Sequence, residues 1–250
     1  MTKSRSVVFV GPTYAPVAAS RLIERVGFEW LPPAERGDID RIASGPAGII
    51  VLVDGKFGQS LAVGHAELRR ALTRGWTVCG LSSMGAIRAF EMRAFGMKGF
   101  GRVYEHFLIA DDFPDDEVAQ LHEGGPPYTP HSEPLVHLRY CLSAMETDGD
   151  ISAEAAQAIV DELRRMWFAK RTLDAFIGLV RTRAGVASAA AATRHARNFS
   201  LFRAKSQDLI AFFQESQWTD GSYIASPVPA PYWRPASEQD VQASHARRDV

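Results

Sequence analysis

The stretch Trp76-Thr77-Val78-Cys79-Gly80-Leu81-Ser82-Ser83-Met84-Gly85 decides how this chain folds. Its first six residues form an apolar run that stops at two serines, which predicts a buried strand. The run is continuous rather than alternating, so both faces are covered and the strand belongs to a parallel sheet. A helix is expected to begin near Gly85 and to run through Ala86-Ile87-Arg88-Ala89-Phe90-Glu91-Met92.

Two similar strands precede it. Ser6 to Val10 is closed by Gly11-Pro12, and Gly48 to Val53 is closed by Asp54-Gly55. Helical spacing between them covers about 15–26 and 59–74, where Leu61, His65, Leu68 and Leu72 recur. The βαβαβα order calls for an open parallel sheet with right-handed crossovers. Gly99 to Tyr104 reads as a short strand or loop. Asp115-Asp116-Glu117, ending an acidic segment that starts at Asp111, reads as the acidic first turn of a short helix, and Gly124 to Pro127 as a turn. From Glu133 the spacing is helical over 133–146, 152–170, 172–183, 186–198 and 206–215, with Ser152 as an N-cap. After Trp218 four prolines predict an extended or disordered tail.

The fold class expected is therefore α/β. An N-terminal three-layer open parallel sheet with helices on both faces (1–130) precedes a mainly α-helical C-terminal region packed on it (131–217), and an extended Pro-rich tail follows (218–250).

Composition narrows the function. Over 250 residues the formal net charge is -1, so no basic field favours nucleic acid. No apolar stretch reaches membrane-spanning length, and the N-terminal apolar run is too short for a signal peptide. A soluble cytoplasmic protein is expected. Two cysteines, Cys79 and Cys141, exclude a disulfide framework and a structural zinc site. The acidic segment reads as structural rather than as a metal site, and no metal or cofactor is expected.

Ligands of open α/β sheets bind beyond the carboxyl ends of the strands. That rule brings together Gly11-Pro12-Thr13, Asp54-Gly55-Lys56-Phe57 and Ser82-Ser83-Met84-Gly85. A serine between a buried strand and a helix resembles a nucleophile elbow. The helix start then offers N–H donors to an oxyanion. Gly85 follows Ser83 by two residues as the pattern asks, but Leu81 stands where a glycine is usual. The competing readings are a helix-capping serine and an anion cradle without chemistry, although no phosphate-loop motif is present. A nucleophilic serine needs a base. Lys56 at the neighbouring strand end, His65 on the intervening helix and His122 after the acidic segment are the candidates. Ser82, Met84, Gly85, Arg88, Asp54 and Gly55 complete the expected site lining.

Val8-Phe9-Val10-Gly11-Pro12, Val53-Asp54-Gly55, His65-Ala66-Glu67-Leu68, Gly80-Leu81-Ser82-Ser83-Met84-Gly85-Ala86-Ile87-Arg88-Ala89, Phe95-Gly96-Met97-Lys98-Gly99 and Asp115-Asp116-Glu117-Val118-Ala119 with His122 resemble TfuA-like proteins, in the same order. The resemblance covers roughly the first 140 residues. It implies a partner of YcaO enzymes in peptide backbone thioamidation, reaching the precursor peptide through the YcaO enzyme. It also implies release of sulfide from a thiocarboxylated ThiS-like sulfur-carrier protein by a Ser–Lys hydrolase pair. Carried over, the serine falls on Ser82-Ser83, with Ser83 favoured by the elbow pattern, and the lysine on Lys56. Ala66 stands where such proteins often carry a basic residue. The alternative is a non-catalytic adaptor that brings peptide and sulfur donor to the YcaO enzyme.

Overall fold

The computed structural model describes residues 5–14, 27–56, 61–109 and 114–214. The helix expected at 15–26, the start of the one expected at 59–74, Phe57, Asp111 to Phe113 and the Pro-rich tail lie outside them.

Five parallel strands form one sheet: β1 (Ser6–Phe9), β2 (Glu29–Leu31), β3 (Ile49–Leu52), β4 (Thr77–Leu81) and β5 (Lys98–Phe100). Their spatial order is β2-β1-β3-β4-β5, and each neighbouring pair is parallel. The helices are α1 (Asp38–Ala43), α2 (His65–Thr73), α3 (Met84–Met92), α4 (Arg102–Ile109), α5 (Leu135–Thr147), α6 (Ala153–Arg165), α7 (Leu173–Ala196) and α8 (Ala204–Gln214).

Successive strand residues point to opposite faces, and both faces are buried, as the continuous apolar runs require. Val7, Phe9, Ile50, Leu52 and Val78 share a core with α1 to α7. Val8, Val10, Val51, Val53, Cys79 and Leu81 pack with Leu209, Phe212 and Phe213 of α8. The last described helix therefore covers the second face of the sheet instead of extending the helical region.

Several boundaries differ from expectation. The strand Glu29-Trp30-Leu31 is new: three residues before Pro32-Pro33 carry too little periodicity to be read, and pairing with β1 forms it. Lys98–Phe100 is a strand, and Gly101 (φ 90°) turns the chain directly into α4. Gly99 lacks a side chain because the Tyr104 ring occupies the space, 2.2 Å from where a Cβ would sit. Helix α2 starts only at His65, since the Leu61 carbonyl accepts from Arg36 N–H and holds that residue outside the helix. The two helices expected over 172–183 and 186–198 are the two parts of α7, separated at Gly185, whose backbone (φ 90°) is not helical.

The acidic residues 115–117 form a 3-10 turn. Asp116 pairs with fully buried Arg171 at 2.6 Å, and buried Glu117 pairs with Arg139 at 2.7 Å. These carboxylates tie the turn to the helical region. No helix among the described residues is long and apolar enough to cross a membrane.

Candidate functional site

The ends of β1, β3 and β4 meet as the strand-end rule requires, and Asp54 holds the first two together. Its carboxylate is buried and accepts from Gly11 N–H (2.8 Å), Thr13 N–H (3.0 Å) and the Thr13 hydroxyl (2.7 Å). Asp54 thus fixes the β1 loop, using both carboxylate oxygens. The third turn packs against β3 by backbone contact. Gly85 N–H donates to Val53 O at 3.0 Å, and a Cβ on Gly85 would lie 1.8 Å from Leu52 O. Gly55 meets the Met84 side chain, which would lie 2.7 Å from an added Cβ.

The elbow itself is strained. Ser82 has φ 66°, a left-handed value for a residue with a side chain. Ser83 N–H donates back to Leu81 O at 2.8 Å, closing a tight three-residue turn around it. Such conformations cost on the order of 1–3 kcal/mol and gather at functional sites. The two serines then diverge. The Ser82 hydroxyl is fully buried and donates to Lys205 O at 2.7 Å. Ser83 is 3% exposed, occupies the N-cap of α3, and its hydroxyl makes no cap hydrogen bond. Among the described residues that hydroxyl has no hydrogen-bond partner.

The helix start offers fewer oxyanion donors than four free N–H groups would suggest. Gly85 N–H is engaged by Val53 O, and Ala86 and Ile87 N–H by Ser83 O. Met84 N–H makes no backbone hydrogen bond among the described residues and is the donor left beside Ser83.

None of the expected bases hydrogen-bonds Ser83 among the described residues. Lys56 is half exposed (47%) and pairs with Glu35 at 3.0 Å. His65, the first residue of α2, contacts Glu91 at 2.8 Å. Arg88 donates to Val63 O at 2.8 Å and to the same Glu91 carboxylate oxygen at 2.6 Å. His65, Glu91 and Arg88 therefore form one cluster between α2 and α3. His122 bonds Glu123 O at 2.6 Å, and its ring centroid lies 5.8 Å from that of Tyr128.

Residues 54–172 match the model of the TfuA-like protein family. Over that stretch the chain is TfuA-like. No curated protein matches the chain. The match begins at Asp54 and contains the whole elbow, Arg88, His122 and Arg171, and it supports involvement in the YcaO-associated thioamidation system.

Two residues near the TfuA-like elbow escaped the sequence reading. Tyr128 has its phenol pushed up by burial, with Lys56 pulling it down and Asp54 pushing it up, so it sits within the field of both strand-end charges. Lys205 lies outside the matched stretch and is 1% exposed. Its Nζ donates to Val118 O at 3.1 Å. Burial pushes this ammonium below the ordinary lysine range, against the pull of Asp54 and Glu133. Close by, Glu133 pairs with His137 (2.9 Å) and Arg203 (2.5 Å). Burial holds His137 down at about 4, with Glu133 opposing. No pattern marks Lys205 in the sequence: one lysine in an amphipathic helix has the spacing of a surface residue.

Away from the TfuA-like elbow, Asp148, Asp150 and His195 bring ligand atoms within 4.8 Å of one another. Arg194 already pairs with Asp150 at 3.2 Å, and His195 lies 3.9 Å from Asp148. A cavity of about 460 Å³ runs along α2 between Arg69, Arg70, Arg74, Met92 and Phe95. Of the expected site residues only His65 lines it. Its geometry serves no step of elbow chemistry.

Proposed function

We propose that the chain hydrolyses a thiocarboxylated ThiS-like sulfur-carrier protein and so supplies sulfide to a YcaO enzyme that thioamidates a precursor peptide backbone. The observation that carries this reading is the Ser83 hydroxyl: on a residue only 3% exposed, without a hydrogen-bond partner among the described residues, and on a strained strand-to-helix turn beside a Met84 N–H that no backbone acceptor among them engages. A serine serving only as a cap would donate or accept within its own helix turn. The TfuA-like match supports a place in the YcaO-associated thioamidation system.

The Ser83 oxygen attacks the thiocarboxylate carbon, and its proton passes to a lysine amine. Lys56 is the candidate that strand-end position alone selects, and it must leave Glu35 to act. Met84 N–H meets the oxyanion; one such donor is typically worth about 3 kcal/mol of the barrier. The C–S bond breaks, sulfur leaves with the bonding pair and takes the proton back, and hydrosulfide departs. Water, deprotonated by the same amine, then attacks the Ser83 ester. The carrier leaves as a carboxylate and Ser83 recovers its proton. The balance is one thiocarboxylate and one water giving one carboxylate and hydrogen sulfide, without oxidant or reductant.

The reading separates from the adaptor alternative by sulfide rescue of the coupled YcaO reaction. With thiocarboxylated carrier as the sulfur source, Ser83→Ala is expected to abolish thioamidation, and added inorganic sulfide to restore it. Full thioamidation by Ser83→Ala from the carrier would leave the adaptor role alone.

A further inference from the structure

The groove along α2 is basic on one wall and apolar on the other. Arg69, Arg70 and Arg74 of α2 face Met92 of α3 and Phe95 of the turn that follows it. Among the described residues no carboxylate lines this groove. Arg70 is paired with Asp40 at 2.5 Å. The other two charges are not cancelled. Arg74 donates to the Ala43 carbonyl at 3.3 Å, Arg69 lies 5.1 Å from the centroid of the Phe95 ring, and neither makes an ion pair among the described residues. Phe95 itself is 52% exposed.

Arginine and aromatic side chains gathered in one concavity are the usual anchors of a protein interface. A small inorganic anion would use the guanidinium groups alone. A polypeptide that carries carboxylates beside an apolar side chain uses them together with the Met92 and Phe95 wall. The groove also lies within reach of the elbow. Helix α3 starts next to Ser83 and ends at Met92, and its 9 residues span about 13 Å. About four residues of extended chain cover that distance.

We propose that this groove docks the sulfur-carrier protein through an acidic segment bearing an apolar side chain, leaving the thiocarboxylate end free to reach Ser83. The inference rests on the hydrolase reading above and gives it a recognition surface. Arg69 and Arg74 attract the acidic segment, and Met92 and Phe95 receive its apolar side chain. Of the partners in that reading, the carrier is the one that must deliver a group to Ser83. No bond is made or broken in the groove. Exposed charges of this kind act through association and its salt dependence.

The test pairs steady-state sulfide release from the thiocarboxylated carrier with calorimetric binding of the same carrier in its plain carboxylate form, which needs no chemistry. The double variant Arg69→Glu/Arg74→Glu is expected to raise KM at least about 10-fold and to leave kcat within about twofold, because docking alone is lost. Calorimetry should show affinity weakened by a similar factor. Arg181→Glu, a charge reversal at an exposed arginine of α7 outside the groove, should bind as wild type does. Wild-type affinity should fall as salt rises from about 50 to 500 mM, which keeps the test open if the double variant does not fold. Unchanged KM and affinity in the folded double variant, an equal loss in Arg181→Glu, or affinity insensitive to salt overturns the docking and leaves the hydrolase reading standing. Intact carrier affinity with lost YcaO-coupled thioamidation would give the groove to the YcaO enzyme and overturn it as well. Carrier bound with the expected arginine dependence but no sulfide released would sink the hydrolase reading while the groove keeps its partner.

Discussion

The Ser82 hydroxyl donates to the main-chain carbonyl of Lys205 at 2.7 Å, joining residues 123 positions apart. This bond makes α8 part of the elbow. The residue with the strained backbone is thus an anchor, and its neighbour Ser83 is left with the available hydroxyl.

Ser82→Ala should separate the two roles. Removing the donor deletes a buried hydrogen bond between the elbow and α8 and is expected to cost about 1 kcal/mol of stability in urea titrations. Sulfide release should fall only in part, through loosening of α8, whereas Ser83→Ala should abolish it. Equal loss in both variants, with equal stability, would mean that the anchor assignment is wrong.

Gly85→Ala should damage the fold before the chemistry. The new methyl would sit 1.8 Å from Leu52 O, a backbone atom of the adjoining strand that has no rotamer to yield. A loss of about 3 kcal/mol or more is expected, visible as a lowered melting temperature. A variant as stable as wild type would show that α3 does not press on β3 as described.

Acid should destabilise the protein through its buried histidines. Burial lowers His137 to about 4 and His106 to about 3 from an ordinary value near 6.5. A depressed folded-state value means that the unfolded chain binds the extra proton first. The stability these neutral rings contribute is therefore full above pH 6.5 and lost as pH falls toward 4 and 3. Each is worth on the order of 3 kcal/mol. Urea titrations at pH 7 and pH 4.5 should show the drop, and His137→Gln should lessen it; a flat profile would contradict the burial of both rings.

The two thiols should be inert in the native state. Burial pushes Cys79 up to about 11 and Cys141 up to about 12, and both are free. Iodoacetamide at pH 8 is expected to modify neither until denaturant is added. Rapid native labelling would place one of them at the surface.

The sheet is legible in the sequence because its central strands are continuous apolar runs, and the strand-end rule then groups the β1, β3 and β4 turns. The Ser82-Ser83 turn was legible for the same reason. Glu29-Trp30-Leu31 was not, because a three-residue edge strand is formed by its pairing partner and not by its own pattern. The distinction between the two serines was also hidden. It depends on a bond to Lys205, which folding over 123 residues brings to the elbow. Chain position alone points to Lys56, and Glu35, which pairs with it, lies 21 residues away in the loop after β2.

The measurement that bears most directly on the central claim is sulfide release from a purified thiocarboxylated sulfur-carrier protein, comparing wild type with Ser83→Ala at equal foldedness. The account predicts catalytic turnover by wild type and a loss of at least about 1,000-fold in the variant, the scale on which removal of a nucleophile acts. No sulfide from wild type, or equal release by Ser83→Ala, would contradict it.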